Sequence, residues 1–220
     1  MKRVYIVVEG QTEQEFVNSV VAPYLNTLGI YSVTPILIRT SRSGRGGMVN
    51  YMHLENTVRM LFRSPKTDFI VTTFIDFFRL PTNMPKYDEC SAIADKDTRI
   101  DRLEAAINEA VDDRRFFAYI QKHEFEALLF SDNKGFEYYF TNECAKETGK
   151  IISDYDSPED IINSLPSGAP SKRLLAIKPD YNKVLEGNLI ALGIGIDIIL
   201  ARCSRFARWI KTIEEKAKEE

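Results

Sequence analysis

Histidine is scarce in this chain. His53 and His123 are the only two among 220 residues, too few for a histidine-rich metal centre. Cysteine is nearly as rare. Cys90, Cys144 and Cys203 lie far apart and are odd in number, with no C-x-x-C pair, so neither a disulfide framework nor a structural zinc site is supported. That usage suits a reducing compartment, and a cytoplasmic protein is expected. Long apolar runs are missing too. The longest, "NLIALGIGIDIILA" (188–201), contains Asp197 and two glycines and is too short to span a bilayer. Met1 leads straight into a strand pattern, so no secretion signal and no membrane partner are expected. The glycine-rich nucleotide signatures G-x-x-x-x-G-K-S/T and G-x-G-x-x-G do not occur, and ATP hydrolysis by this chain is not expected. Nor is there a G-x-S-x-G nucleophile elbow. An excess of positive charge is the last absence. The formal net charge is −3, so any polyanion must meet a local patch rather than a basic coat.

What is present is core-forming material: 44% hydrophobic and 11% aromatic residues, ample for a packed domain. The elements alternate. "VYIVVE", "SVTPILIRT", "DFIVTTFIDFF" and the start of "RFFAYIQKHEFEALLF" read as strands. Helical spacing marks "TEQEFVNSVVAPYLNTLG", "NYMHLENTVRMLFRS" and "DKDTRIDRLEAAINEAVDD". Pro23 should kink or divide the first of these, and Pro35 should place its strand at an edge or a bulge. This order predicts an α/β domain over residues 1–132, with a largely parallel sheet flanked by helices. Residues 133–220 read as a helical extension or lid, with Ser157 as a cap, Pro158 in a first turn, and breaks at Pro166, Pro179, Gly187, Gly193 and Gly195.

In an open α/β sheet, ligands bind beyond the carboxyl ends of the strands. Three apolar runs place acids there: Glu9 and then Glu13, Asp76, and the pair Glu124 and Glu126. Gathered carboxylates repel, and a hard divalent cation such as Mg2+ or Mn2+ relieves that. Each acid also has a plainer reading. Thr12 and Glu15 fit a capping box, which assigns Glu15 to structure, and Glu13 suits a helix dipole as well as a site. Asp76 could cap the turn that follows it. Glu124 and Glu126, on a strand, would share one face and could form a solvated edge. His123 reads as a polar surface residue.

These residues resemble a known family. "VVEGQTE" followed by "FIDFF" is similar to the Toprim fold of topoisomerases, primases and the overcoming-lysogenization-defect (OLD) nucleases, and its Glu-Gly-x-x-Glu form is most like the OLD type. With "DFFRLP", "QKHEFEALLF", "APSKRLLAI" and "YNKVLEGNLIA", nearly the whole chain resembles a bacterial Toprim-like family related to the OLD nucleases. Its members are often encoded beside an ABC-type ATPase, as in phage-defence and DNA-repair modules. The resemblance implies a metal-dependent nuclease or nuclease subunit with Mg2+ or Mn2+ as cofactor. Glu9 would bind metal or act as acid/base, Asp76 would bind metal, and Glu13 would be the second acid of the OLD pattern. Glu126 would match the later acidic motif. The family's second aspartate falls at Phe78, which cannot ligate metal. Either Glu124 or Glu126 supplies the missing carboxylate, or the site is degenerate.

Cations that could hold a nucleic-acid backbone, DNA or RNA, are Arg39, Arg42 and Arg45 in "RTSRSGRGG", Arg79 after the third strand, and Lys172 and Arg173 near a helix start. The arginine-rich loop reads equally well as an ordinary solvated loop. Arg202, Arg205, Arg208 and Lys211, spaced three apart, read as a solvated face, while Phe206, Trp209 and Ile210 read as core. The alternative to an enzyme is a non-catalytic regulatory or binding subunit docked on an ATPase. Oligomeric state stays open, a homodimer being one option.

Overall fold

In a computed structural model, which describes residues 1–39, 48, 50–65, 67–161 and 168–219, the first apolar run is strand β1 (Arg3–Val8). It pairs in parallel with β2 (Val33–Leu37) on one side and β3 (Phe69–Asp76) on the other. β4 (Phe116–Phe117) and β5 (Ile120–Gln121) continue each other along the far side of β3, also in parallel. The break between them is filled by Thr73. Its hydroxyl accepts from Tyr119 N and donates to Tyr119 O, both at 2.7 Å. The strand order β2-β1-β3-β4 means that the chain leaves β1 in one direction and returns on its other side. β1 and β3 therefore flank the switch point, where loops diverge and leave a crevice.

Local chemistry explains the placement. β3 is apolar from Phe69 through Ile75 apart from two threonines, and it is buried on both faces, as a central parallel strand requires. β2 is the edge. Ile38 N donates to Val8 O, so by alternation Pro35 faces outward, where its missing N–H leaves one donor fewer for a stray strand.

The helix after β1 is α1 (Gln11–Phe16), a π-helical turn at Val17–Val21, and α2 (Ala22–Thr27). Pro23 cannot donate to the helical ladder, and the widened turn just before it absorbs that break. The expected capping box is absent: the N-cap is Gly10, with no side-chain cap, and Thr12 is buried inside the first turn. On the opposite face lie α3 (Tyr51–Phe62), the short α4 (Tyr87–Ser91) and α5 (Lys96–Val111). Asn50 and Asp95 cap α3 and α5 through Met52 N and Thr98 N.

Beyond β5 the chain does not continue as a strand. "FEALLFS" is a buried 3-10 helix, Phe125–Ser131. Then come α6 (Lys134–Tyr139), α7 (Asn142–Ser153), a three-residue 3-10 turn at Pro158–Asp160 capped by Ser157, α8 (Pro170–Ile177), α9 (Leu185–Ile194), α10 (Ile196–Arg202) and α11 (Ser204–Lys218). Pro166 lies outside the described residues. Gly195, at φ 84, does divide α9 from α10. Gly187 and Gly193 do not break the chain; both lie inside α9.

The C-terminal helices share one core with α1, α2 and one face of β1 and β3. Trp209 stacks on Tyr119 at 4.6 Å and on Phe74 at 5.4 Å, and its Nε1 donates to Thr72 Oγ1 at 2.9 Å. Arg205 is not solvated, contrary to the reading of its helix face. It is 6% exposed and pairs with Asp101 at 2.6 Å and Glu104 at 2.9 Å, tying α11 to α5.

α6 and α9 meet through glycine. A Cβ on Gly135 would fall 2.6 Å from Ile190 O and 2.7 Å from Ile194 Cγ1. Backbone cannot yield cheaply, so Gly135→Ala should lose about 1–3 kcal/mol in urea unfolding. An unchanged midpoint would show that the two helices do not pack this closely in solution.

Candidate acidic site

β1 ends at Val8, opposite Phe74 of β3, so the residues that follow both strands emerge side by side. Glu9 comes first. Its Oε1 accepts from Met48 N at 3.2 Å. Gly10 then turns the chain into α1, and a Cβ there would stand 3.0 Å from Glu13 Oε2. The missing side chain makes room for the Glu13 carboxylate, which explains why Glu-Gly precedes the second acid. Asp76 closes β3, and its Oδ1 accepts from Phe125 N at 3.0 Å, linking the strand to the 3-10 helix that carries Glu126.

The electrostatics show that these groups sense one another. Burial and then the charges of Glu13, Glu9, Glu126 and Glu124 push Asp76 well above the ordinary carboxylate range. Burial raises Glu9, against the Met48 N–H, and burial with the nearby Glu9 charge raises Glu13. Glu126 is pushed up to about 7, mainly by burial. It is 0% exposed, and among the described residues neither of its oxygens has a hydrogen bond of normal geometry. Its counter-charge is Lys183, whose Nζ lies 2.9 Å from Oε1. Burial opposes the lysine's charge, but Glu126, Asp76 and Glu124 outweigh it and hold the ammonium above the ordinary lysine range.

Glu124 has a different position. It stands just before the 3-10 helix, is 6% exposed, and is no solvated strand edge. Its two oxygens accept from Ser171 N and Ser171 Oγ, each at 3.0 Å. The N-cap of α8 is Ala169, which offers no side-chain acceptor, so Glu124 caps that helix from 47 residues away. Glu124→Ala should therefore lose about 1–2 kcal/mol of stability and speed amide exchange at Ser171. Slow exchange in the variant would refute the capping role. His123 is likewise buried, not a surface residue. Its Nε2 contacts Glu159 O at 3.1 Å, and burial pushes its pKa down to about 4.

The cations are dispersed. Arg79 is exposed, at φ 62, with its guanidinium carbon 5.3 Å from the centre of the Phe78 ring. Lys172 is exposed on α8, and Arg173 Nε donates to Gly168 O at 2.8 Å. Arg42 and Arg45 lie outside the described residues. Lys183 lies in the "YNKVLEGNLIA" segment but has no role assigned from the sequence, and its place beside Glu126 becomes visible only when the 178–186 connection folds. Among the described residues, no three His, Cys, Asp or Glu side chains converge closely enough to enclose an ion as they stand. No helix there is long and apolar enough to cross a membrane.

Two solved structures align over nearly the whole chain. The C-terminal region of the Xanthomonas campestris pv. campestris OLD protein aligns over 98% of this chain and 94% of its own length, at 15% identity and a TM-score of 0.51. That of the Burkholderia pseudomallei OLD protein aligns over 97% and 99%, at 15% identity and a TM-score of 0.44. At such identity the first of these establishes a common fold, in keeping with the α/β fold expected from the alternation of strands and helices. No curated protein matches the chain. Residues 8–214 match the family described as Domain of unknown function (DUF4276), and the chain belongs to that family.

Proposed function

We propose that this chain is a divalent-cation-dependent nuclease, or the nuclease subunit of a larger assembly, acting on nucleic-acid phosphodiesters. The observation that carries the reading is the electrostatic influence that Glu9, Glu13 and Glu126 exert on Asp76 beyond the ends of β1 and β3, with each carboxyl group's ionisation resisted by burial. Such a set of desolvated oxygens suits a hard cation. Glu126 supports this fit best, being wholly buried with Lys183 as its ion-pair partner on one oxygen and Oε2 without a hydrogen bond among the described residues. Glu9, Asp76 and Glu126 would hold Mg2+ or Mn2+, which supplies Lewis-acid polarisation of the phosphoryl group and a water activated near neutral pH.

The chain's own groups do the rest. Phe125 N orients Asp76, and Met48 N orients Glu9. Glu13, raised by burial above the ordinary carboxylate range, would hold a proton more readily than a free carboxyl group and so assist as acid or base. Glu124, fixed by Ser171, adds negative potential and holds α8 in place. Arg79, Lys172 and Arg173 offer backbone contacts to DNA or RNA, with Arg42 and Arg45 as further candidates. An ABC-type ATPase partner, and a place in phage defence or DNA repair, belong to this proposal on the strength of the sequence resemblance.

Phe78 favours a second reading, a non-catalytic subunit that keeps the fold and regulates an ATPase. Cleavage of single- and double-stranded DNA and RNA in Mg2+ and Mn2+, with and without the ATPase, separates the two. Metal-dependent cleavage supports the nuclease. No cleavage together with no metal binding by calorimetry supports the subunit.

A further inference from the structure

α9 carries apolar residues all round its axis, the pattern of a helix covered on every side. Its inner side is covered. Ile190, Ala191 and Ile194 are buried in the core, and a Cβ on Gly187 would stand 3.2 Å from Phe125 Cε1. Its outer side is not. Leu185 is 61% exposed and Leu192 49%, with half-buried Leu189 between them and exposed Val184 beside them. A groove of about 330 Å3 runs along these side chains, lined also by Glu15 and Ser19 from the helix after β1.

The apolar face extends onto α6. Tyr138 is 71% exposed and Tyr139 41%, and a Cβ on Gly193, next to Leu192, would meet their rings at 3.2 and 3.5 Å. Nine large apolar side chains are exposed among the described residues, and five of them belong to this face. Single exposed residues need no explanation, but such a concentration marks an interface.

Three properties select a second copy of this chain as the occupant. The first is amount. The five side chains together expose on the order of 500 Å2. A specific interface buries about 1,000 Å2 or more in total, and two copies of this face reach that from their apolar part alone. The second is spacing. Leu185, Leu189 and Leu192 follow one another at four and then three residues, the seam by which like helices pack together. With the helices antiparallel and a twofold axis near Leu189, Leu192 of one copy meets Leu185 of the other. The third is charge. A charged face repels its own copy, whereas the only charged residue of α9 is Glu186, held by Lys178 at 3.1 Å and by Asn182 N at 2.7 Å. Antiparallel pairing also sets the two helix dipoles in favourable opposition.

We propose that the chain forms a twofold dimer through this α9–α6 face, with the two α9 helices antiparallel. The contact uses none of the acids beyond β1 and β3, so it forms with or without a metal there.

The test uses the full chain. Sedimentation velocity should show a dimer at micromolar concentration. Leu185→Glu combined with Leu192→Glu should weaken self-association about a hundredfold or more, because burying two unpaired carboxylates per copy is costly. The melting temperature of the variant monomer should hold, since both side chains already face water. Leu189→Cys, close to the axis, should give a 189–189 linked peptide under mild oxidation, read by mass spectrometry. Met60→Cys, exposed on α3, should give no such 60–60 peptide. A wild type that stays monomeric at every concentration overturns the dimer. So does a dimer that persists in the folded double variant, because the contact then lies elsewhere. A dimer without the 189–189 peptide refutes the antiparallel arrangement. If wild type is monomeric and an ATPase partner binds it but not the double variant, the face belongs to that partner and the second copy is refuted.

Discussion

Asp76→Asn should lower metal-dependent cleavage by about 10²–10³-fold, and Glu9→Gln by a similar factor, with no loss of stability in either variant. The paired outcome is the informative part. Asp76 sits at the end of a buried strand among four other acids, which together with burial hold its carboxyl well above the ordinary range. Ionised Asp76 is thus a burden on the folded chain when no cation is present. An amide of the same shape keeps the acceptor for Phe125 N, whose bond to Asp76 Oδ1 measures 3.0 Å, and removes the charge. The variant should melt at the same temperature as wild type or higher, measured without metal. Groups kept for chemistry often sit where stability would prefer something else. A large drop in both activity and melting temperature would instead make Asp76 a structural residue. Full activity in Asp76→Asn would remove the acid cluster from the chemistry altogether.

The strand-end acids were legible because a buried parallel strand has a strong pattern and an abrupt end. "VYIVVEG" and "FIVTTFID" state where the carboxyl edge of the sheet lies, and two strands that pair in parallel bring their ends together. The edge position of β2 was legible from Pro35 for the same local reason. What could not be read depends on partners distant in sequence. Glu124 spends both oxygens on Ser171, and nothing near Glu124 announces a helix end 47 residues away. Arg205 looks like one of four evenly spaced surface cations until α5 supplies Asp101 and Glu104. Glu126 looked half-solvated on an assumed strand, but Phe125, Leu128 and Leu129 around it bury into the same core as α1 and α9 and wind the segment into a 3-10 helix. The capping box failed for a more local reason. Gly10 starts the helix earlier, which moves Thr12 into the first turn and leaves the cap without a side chain.

Glu126→Gln should flatten part of the pH dependence of stability. In the folded chain the Glu126 carboxyl is pushed up from an ordinary 4.5 to about 7, by burial first and by Glu124 second, against the pull of Lys183. In the unfolded chain it ionises near its ordinary value. Between those two pH values the unfolded state has released the proton and the folded state still holds it. Stability is therefore highest below about 4.5 as far as this group is concerned, falls as pH rises toward about 7, and is level above that. The full difference amounts to about 3 kcal/mol. Metal-free wild type should accordingly lose stability between pH 5 and pH 7.5 in urea unfolding. The glutamine variant should gain on it by about that amount at the upper end, and match it at the lower end. A shallower slope of the same sign should remain in the variant, because Asp76, Glu9 and Glu13 are raised as well. Lys183, left without its partner, is 43% exposed and can be hydrated, so its loss of the pair offsets little of the gain. Saturating Mg2+ should then reverse the ranking at high pH, because ligand binding stabilises only the chain that can hold it. If wild type and variant show parallel pH curves, Glu126 is ionised and satisfied in the folded protein, and it is then neither a strained carboxyl nor a waiting metal ligand.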